Sequence, residues 1–92
     1  MTNTVVHNAD AQRYEIHVDG VLAGYTEAKE DGELVTFPHT LVFDQFEGQG
    51  LASQLVTGAL DDIRAREKKI IAQCPYVARF VEKHPDYADL LA

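Results

Sequence analysis

With 92 residues, the chain has room for one small domain and no second hydrophobic core. Its net charge of −7 argues against the basic surface that binds nucleic acid, and its single cysteine, Cys74, rules out an internal disulfide and fits a reducing compartment. No apolar run approaches the roughly 20 residues that span a membrane, and the first residues lack a signal-peptide pattern. We expect a cytoplasmic monomer that binds neither nucleic acid nor membrane.

The first half of the chain predicts an antiparallel meander of about four strands, with residues 1–10 expected to be poorly ordered. Polar and apolar residues alternate from Arg13 to Val18, as in a strand with one buried face. Asp19-Gly20 is a two-residue hairpin signal, and Pro38 is typical of a bulge or an edge strand. The predicted strands cover residues 13–18, 21–26, 34–37 and 39–43, with a second turn at residues 30–33.

The second half changes to helical spacing. The apolar positions that share one face of the first predicted helix are Leu51, Leu55, Val56, Ala59, Leu60 and Ile63. Gly58 within this helix costs stability, so it predicts close packing against another element. A β-like run at residues 70–72 follows, then a helix that begins at Pro75 and a short amphipathic helix after Pro85. This order predicts an α+β fold, with helices packed on a single layer of sheet in one domain over residues 1–92.

The most informative segment is the hexapeptide Gln-Phe-Glu-Gly-Gln-Gly at residues 45–50, between the apolar run 40–43 and the helix that begins at Leu51. A strand, a glycine loop and a helix N-terminus in this order bind phosphate through backbone N–H groups. Gly48 and Gly50 would let the backbone approach the anion closely, because no Cβ intervenes. The segment therefore predicts a phosphorylated cofactor.

The pattern Q-x-x-G-x-G, set by Gln45, Gly48 and Gly50, resembles motif A of the GNAT superfamily of N-acetyltransferases. The order of predicted elements is similar as well. Within the superfamily, the minimal single-domain branch is the most similar, and the resemblance covers about residues 13–91. The segments that carry this closer resemblance are His39-Thr40-Leu41-Val42, Gly48-Gln49-Gly50-Leu51-Ala52, Cys74-Pro75-Tyr76-Val77 and His84-Pro85.

The resemblance implies a GNAT-like fold in which the loop wraps the pyrophosphate of coenzyme A, with acetyl-CoA as the cofactor. Residues just before the loop would pair through their backbone with the pantetheine arm, and the N–H near Val42 would polarise the thioester carbonyl. The implied cofactor-binding residues are Val42, Phe43, Gln45, Phe46, Glu47, Gly48, Gln49, Gly50 and Leu51.

Two residues depart from the family pattern. Residues 80–83, Phe-Val-Glu-Lys, look like a Phe-Tyr-Glu-Lys stretch of larger GNAT enzymes, whose tyrosine protonates the departing thiolate. Val81 occupies that position and has no proton to donate. Glu47 stands where many relatives carry a basic residue, and a carboxylate beside a pyrophosphate is unfavourable, so we expect Glu47 to point outward.

Three residues are candidates for the catalytic steps, and each has a structural alternative. Cys74, at the end of the 70–72 run, would accept the acetyl group or donate a proton; otherwise it is a small buried hydrophobe. His39 would take the proton of the incoming ammonium; otherwise it bonds to backbone beside Pro38. Tyr76 would donate a proton or line the pantetheine tunnel; otherwise it is a core tyrosine with its hydroxyl at the surface.

The remaining ionisable residues predict structural roles. His84, before Pro85, is expected to cap a helix, and His7 and His17 are expected at the surface. The pair Asp61-Asp62 is expected on a solvated helix face. No ligand spacing relates the histidines and the cysteine, so no metal site is predicted.

The sequence therefore predicts an acetyl-CoA-dependent N-acetyltransferase that modifies an amine of unidentified structure. A small amine, a protein lysine or a protein N-terminus would serve as acceptor, because GNAT folds take all three. The alternative is a non-catalytic acetyl-CoA- or coenzyme-A-binding domain with a regulatory or interaction role, suggested by Val81 and by the small substrate region.

Overall fold

Six short strands precede the first long helix in the computed structural model, which describes residues 2–92. The strands are β1 (Asn3–Asn8), β2 (Arg13–Val18), β3 (Val21–Glu27), β4 (Lys29–Asp31), β5 (Leu34–Thr36) and β6 (Thr40–Val42). They are followed by a 3-10 helix (Asp44–Phe46), α1 (Leu51–Ala65), β7 (Lys69–Ile71), α2 (Pro75–Lys83) and a second 3-10 helix (Pro85–Leu90). This order confirms the α+β prediction, with the second 3-10 helix where a short C-terminal helix was expected.

Hydrogen bonds join the strands in two groups, in the orders β1-β2-β3-β6 and β4-β5-β7. Every strand pair is antiparallel except β5 with β7, which is parallel. A parallel pair needs a long crossover connection, and the chain between β5 and β7 supplies it through α1. The two groups are therefore linked by the same segment that carries the glycine loop.

Pro38 marks the point where one extended segment passes from the three-stranded group to the four-stranded group. Before it, Thr36 pairs with Ile71 of β7; after it, Thr40 pairs with Thr26 of β3. The two strands predicted on either side of Pro38 are thus halves of one bent strand, not neighbours in a meander. Because β6 and β7 follow different partners from this point, they separate and leave a gap between them.

The second predicted turn is shorter in the structure than the predicted range 30–33. Glu30 and Asp31 belong to β4, so only Gly32 and Glu33 separate β4 from β5. The side chains of β4 are all exposed, so the strand has no apolar alternation that would reveal it.

Within the segment expected to be poorly ordered, Asn3–Asn8 form β1 and pair with all of β2, a strand that the sequence did not predict. The sequence hides this strand because half of its side chains are exposed and none is fully buried. A Cβ added at Gly58 would lie 2.9 Å from the Cβ of Val5. The close packing predicted at Gly58 is therefore present, and β1 is its partner.

The hydrophobic core lies between α1 and one face of β2 and β3. The whole apolar face predicted for α1 is at most 2% exposed, and Tyr14, Ile16 and Val18 of β2 point to it. Burying a side chain of leucine size contributes about 2 kcal/mol, so this face supplies much of the stability of the domain. Within residues 2–92, no helix is both long and apolar enough to span a bilayer.

Candidate functional site

A cleft of about 530 Å³ lies along the edge of β6 that, within residues 2–92, pairs with no other strand. It runs from the start of β6, over the glycine loop, to the first turn of α1, and Tyr76 of α2 closes one side. The residues that line it are Thr40, Leu41, Val42, Phe46, Glu47, Gly48, Gly50, Leu51, Ala52 and Tyr76. The cleft therefore joins a free strand edge to a helix N-terminus.

The free edge of β6 presents backbone groups to the cleft. The amide of Phe43 donates to the carbonyl of Ala23 at 2.9 Å, and Tyr25 lies opposite Leu41. In an antiparallel pair the backbone groups point alternately toward and away from the partner strand. The N–H and C=O of Val42 therefore point away from β3, toward the gap, as backbone pairing with an extended ligand requires.

The loop over residues 45–50 depends on glycine at two positions. Gly48 has φ +80° and Gly50 has φ +70°, a left-handed conformation that side chains disfavour. A Cβ at either position would meet no protein atom within 4 Å. The glycines are thus required by backbone conformation, and the space beside them is open to a ligand.

The N-terminus of α1 faces this space without a side-chain cap. Gly50 is the N-cap residue, and the first backbone bond of the helix runs from Gln54 N–H to Gly50 C=O at 3.3 Å. The amides of Leu51, Ala52 and Ser53 precede that donor, so the helix offers them no carbonyl. The dipole of a 15-residue helix adds roughly half a positive charge here. Together these groups form an anion site that suits a pyrophosphate.

Of the cofactor-binding residues implied by the sequence, the structure brings Val42, Phe46, Glu47, Gly48, Gly50 and Leu51 to the cleft. It leaves Phe43, Gln45 and Gln49 outside the lining. Phe43 lies on the other face of β6, where its ring meets that of Tyr25 edge-on with centroids 6.4 Å apart. Glu47 is exposed and also lines the cleft.

Thr40, Leu41 and Ala52 also line the cleft, although the sequence did not single them out. A signal for each was present. Thr40 and Leu41 belong to the extended run that enters the loop, and strand alternation puts Thr40 on the same side as Val42. Ala52 is a small residue in the first turn of α1, where a ligand must approach the backbone closely.

Cys74 lies immediately behind the cleft lining. It is 5% exposed, and its Sγ donates to Oγ1 of Thr40 at 3.5 Å. Thr40 Oγ1 is in turn 2.8 Å from Oγ1 of Thr26, which is fully buried. The thiol is therefore held by a short chain of hydroxyl groups, with Thr40 between it and the cleft.

His39 lies away from Cys74 and Tyr76. Its side chain is exposed, and its ring meets that of Tyr25 edge-on with centroids 6.4 Å apart. Its carbonyl accepts the amide of Glu27 at 2.8 Å. Because successive strand residues face opposite sides, His39 is on the face opposite Thr40. The structure does not bring the three catalytic candidates into one cluster.

Tyr76 is the catalytic candidate that touches the cleft directly. It is 39% exposed and stands in the first turn of α2, two residues after Cys74. Partial burial raises the pKa of its hydroxyl above the usual value. The phenol therefore stays protonated at neutral pH and can donate a proton into the cleft.

Val81 is buried at 4% exposure on the apolar face of α2. A proton donor is therefore absent from the position where the larger enzymes carry their tyrosine. His84 caps the helix as expected: its Nδ1–H donates to the carbonyl of Phe80 at 2.9 Å, and the two rings stack with centroids 4.1 Å apart.

Other ionisable residues pair with one another around the C-terminal end of α1, away from the cleft. The ring of His7 stacks on Tyr14 at 4.5 Å, and the Tyr14 hydroxyl donates to Asp62. Burial, and then this bond, raises the pKa of Tyr14. Asp62 also pairs with Arg66 at 3.2 Å. Neither His7 nor Asp62 is thus the simple surface residue that the sequence predicted.

Among residues 2–92, no group of histidine, cysteine, aspartate and glutamate side chains has the geometry of a metal site. The arrangement instead supports anion binding at the loop and hydrogen bonding along β6.

Three solved structures with the same fold are distant in sequence. A GCN5-like protein from Staphylococcus aureus is 22% identical, with 97% of this chain and 87% of that chain covered and a TM-score of 0.72. The ribosomal-protein-S18-alanine N-acetyltransferase from Escherichia coli is 14% identical and has a TM-score of 0.65. The match covers 77% of this chain and 49% of that chain. The N-acetylglutamate synthase from Neisseria gonorrhoeae, solved with coenzyme A and N-acetyl-glutamate, is 16% identical and has a TM-score of 0.60. The match covers 85% of this chain and 22% of that chain.

These likenesses establish a GNAT fold. No curated protein matches the sequence. The model of the GCN5-related N-acetyl-transferase family, however, matches residues 13–90, which is most of the chain and includes the glycine loop and α2. This protein therefore belongs to the GCN5-related N-acetyltransferase family.

Proposed function

We propose that this protein transfers the acetyl group of acetyl-CoA to an amine. One observation carries the proposal: a single cleft joins the free edge of β6 to the glycine loop and the uncapped N-terminus of α1. An extended pantetheine arm fits the first feature, and a pyrophosphate fits the second. The N. gonorrhoeae neighbour, which has the same fold, was solved with coenzyme A.

The residues of the cleft have separate roles in this proposal. The amides of Leu51, Ala52 and Ser53 bind the pyrophosphate, and Gly48 and Gly50 keep the loop out of its way. Acetyl-CoA supplies an activated thioester, whose carbonyl carbon an amine can attack. The N–H of Val42 stabilises the negative charge that develops on the thioester oxygen.

Tyr76 is the proton donor in this scheme. As the amine nitrogen bonds to the carbonyl carbon, the carbon–sulfur bond breaks and the thiolate takes the proton of the Tyr76 hydroxyl. The proton released by the amine restores the phenol through water. Tyr76, in the first turn of the same helix, thereby donates the proton that Val81 lacks.

Cys74 and His39 have supporting places in the proposal. Cys74 holds Thr40, and so the strand edge, through its thiol. His39 directly precedes β6 and lies on the face opposite Thr40, so it would accept a proton only from an amine that reaches the strand from that side. A small amine, a lysine side chain and a protein N-terminus all carry the required nucleophile.

The second candidate is an acetyl-CoA-binding domain without transferase activity. The buried Val81 and the 5% exposure of Cys74 favour it, because they withhold two of the groups that would assist transfer. It shares the loop and the strand edge with the first proposal and differs only in the reaction.

Two measurements separate these proposals. Isothermal titration with acetyl-CoA tests the cofactor site, and both proposals fail if no heat of binding appears at millimolar ligand. Transfer to a panel of polyamines, aminoglycosides, lysine peptides and free N-terminal peptides, followed by thiol release, tests the reaction. Binding together with release above the buffer rate supports the transferase; binding with no release from any acceptor supports the binding domain.

A further inference from the structure

A second groove continues from the cleft along α2. It has a volume of about 330 Å³ and is lined by Ser53, Tyr76, Arg79, Phe80, Lys83 and His84. Tyr76 borders both spaces, and Ser53 follows directly after Ala52 of the main cleft. The groove thus begins at the helix N-terminus that would hold the pyrophosphate, on the side away from β6.

The charge of this groove contrasts with the rest of the chain. The sequence has 15 acidic and 8 basic residues. Arg79 and Lys83 nevertheless stand four residues apart on one exposed side of α2, and within residues 2–92 neither forms an ion pair. By contrast, Arg13, Arg64, Arg66 and Lys68 are each paired with a carboxylate. Two free cations in an acidic protein mark a place where an anion would be held.

His84 also lines the groove, but its Nδ1–H is already committed to the Phe80 carbonyl and is not available to a ligand. The donors that face an incoming anion are therefore the guanidinium of Arg79, the ammonium of Lys83 and the hydroxyl of Ser53. Arginine and lysine with a hydroxyl make a set that is well suited to a phosphate monoester.

We propose that this groove binds the 3′-phosphate of the adenosine end of coenzyme A, and that Arg79 and Lys83 make the protein discriminate coenzyme A from dephospho-coenzyme A. The inference rests on the proposed function, since it assigns the end of the same ligand whose pyrophosphate lies at α1. Beyond the pyrophosphate, coenzyme A carries one further phosphate group, and this groove is the cationic space that adjoins the loop.

The test is a titration of the full chain with coenzyme A and with dephospho-coenzyme A. We expect coenzyme A to bind at least about tenfold more tightly, as charge-assisted hydrogen bonds to phosphate would give. In the double variant Arg79→Ala/Lys83→Ala, this ratio should fall to about one, with the affinity for dephospho-coenzyme A unchanged. Lys29→Ala is the matched control, because Lys29 is also exposed and lacks an ion pair but lies on β4; it should keep the wild-type ratio.

The outcomes separate this inference from the proposed function. Equal affinity of the wild-type chain for both ligands overturns the inference and leaves the cofactor site intact. A double variant that keeps the wild-type ratio overturns it too. If neither ligand binds the wild-type chain, the proposed function fails together with the inference. Arg79 and Lys83 are both exposed, so a matching circular-dichroism spectrum and melting curve for the variant verify that its fold is unchanged.

Discussion

The thiol of Cys74 lies 3.5 Å from the hydroxyl of Thr40, and thereby connects the start of α2 to the strand that lines the cleft. The bond joins the two sides of the gap between β6 and β7. Since Thr40 stands between Cys74 and the cleft, the proposed reaction gives the thiol a positioning role and assigns the proton transfer to Tyr76. The two residues can be separated experimentally.

Cys74→Ala should keep kcat for acetyl transfer within about threefold, because the proposed reaction passes no group through the sulfur. Stability should fall by roughly 1 kcal/mol, owing to the lost packing of a small buried side chain. Steady-state kinetics and thermal melts measure both effects. Intact mass spectrometry of the wild-type protein after mixing with acetyl-CoA tests the opposite possibility. An acetylated Cys74 that disappears on addition of amine would establish a covalent route.

Tyr76→Phe should lower kcat about a hundredfold and leave KM for acetyl-CoA nearly unchanged, because only the donated proton is removed. Tyr87→Phe is the matched control, since the Tyr87 hydroxyl bonds to Asp61 at 2.7 Å outside the cleft. That bond, followed by burial, raises the pKa of Tyr87 to about 12. Unchanged kcat in Tyr76→Phe would remove Tyr76 from the mechanism.

Gly48→Asp should abolish measurable binding of coenzyme A, because it puts a side chain and a negative charge into the space reserved for the pyrophosphate. Gly32→Asp offers a close comparison. Gly32 has φ +64° and a Cβ there would also meet no atom within 4 Å, but it lies in the hairpin between β4 and β5. Both variants should lose about 1 kcal/mol of stability from the left-handed conformation. Only the first should lose the ligand; equal affinities in a titration would reject the phosphate role of the loop.

Gly58→Ala should destabilise the protein by about 1–3 kcal/mol, although alanine is the better helix former. Its Cβ would come within 3.0 Å of the Val5 side chain, which must shift. In a Val5→Gly background, which removes the Cβ as well as both methyl groups, the same change should instead stabilise by up to about 1 kcal/mol, because the obstacle is gone. Urea unfolding of the four proteins measures the coupling. Additive effects would mean that β1 does not pack on α1 at this point.

The carboxylate of Glu15 makes stability depend on pH at the acidic end. Burial alone would raise the pKa of Glu15, but hydrogen bonds from Arg13, His17 and Asn8 outweigh it and lower the pKa from 4.5 to about 2. Because the pKa of Glu15 is lower in the folded state than in the unfolded state, its ionised carboxylate contributes fully to the free energy of unfolding above pH 4.5. This contribution is lost as the pH falls toward 2.

Glu15→Gln should therefore cost roughly 2 kcal/mol at neutral pH and very little near pH 2. Urea unfolding at several pH values follows the difference between the two proteins. Glu33→Gln is a suitable control, since Glu33 is an exposed residue of the β4–β5 turn. A difference that stays constant across the acidic range would show that the bonds to Glu15 do not depend on its charge.

Periodicity predicted those parts of the fold that bury a regular apolar face. The positions predicted for α1 are the buried ones, and β2 matches its predicted range, because each presents one face to the core. β1 and β4 were missed for the opposite reason. Their side chains are mostly exposed and backbone pairing holds them, which leaves no hydrophobic pattern to detect.

The sequence predicted those parts of the candidate site that depend on backbone conformation. It did not predict those that depend on the direction in which a side chain points. Gly48 and Gly50 were identified because positive φ angles restrict the residue type. The sequence did not show which side chains near β6 face the cleft. His39 and Phe43 point away from the cleft and Thr40 points toward it, because the bend at Pro38 sets the register of the strand. The sequence did not single out Arg79 and Lys83, because only the fold shows that their side of α2 meets the start of α1.

The separation of β6 from β7 also affects the behaviour of the protein in solution. A strand edge without a partner is a template for association between chains, and short edges or nearby prolines limit that risk. β6 is three residues long and Pro38 precedes it closely, so another chain would find little backbone to pair with. A ligand that fills the gap would cover the same groups. Occupancy of the cleft should thus protect the protein against aggregation.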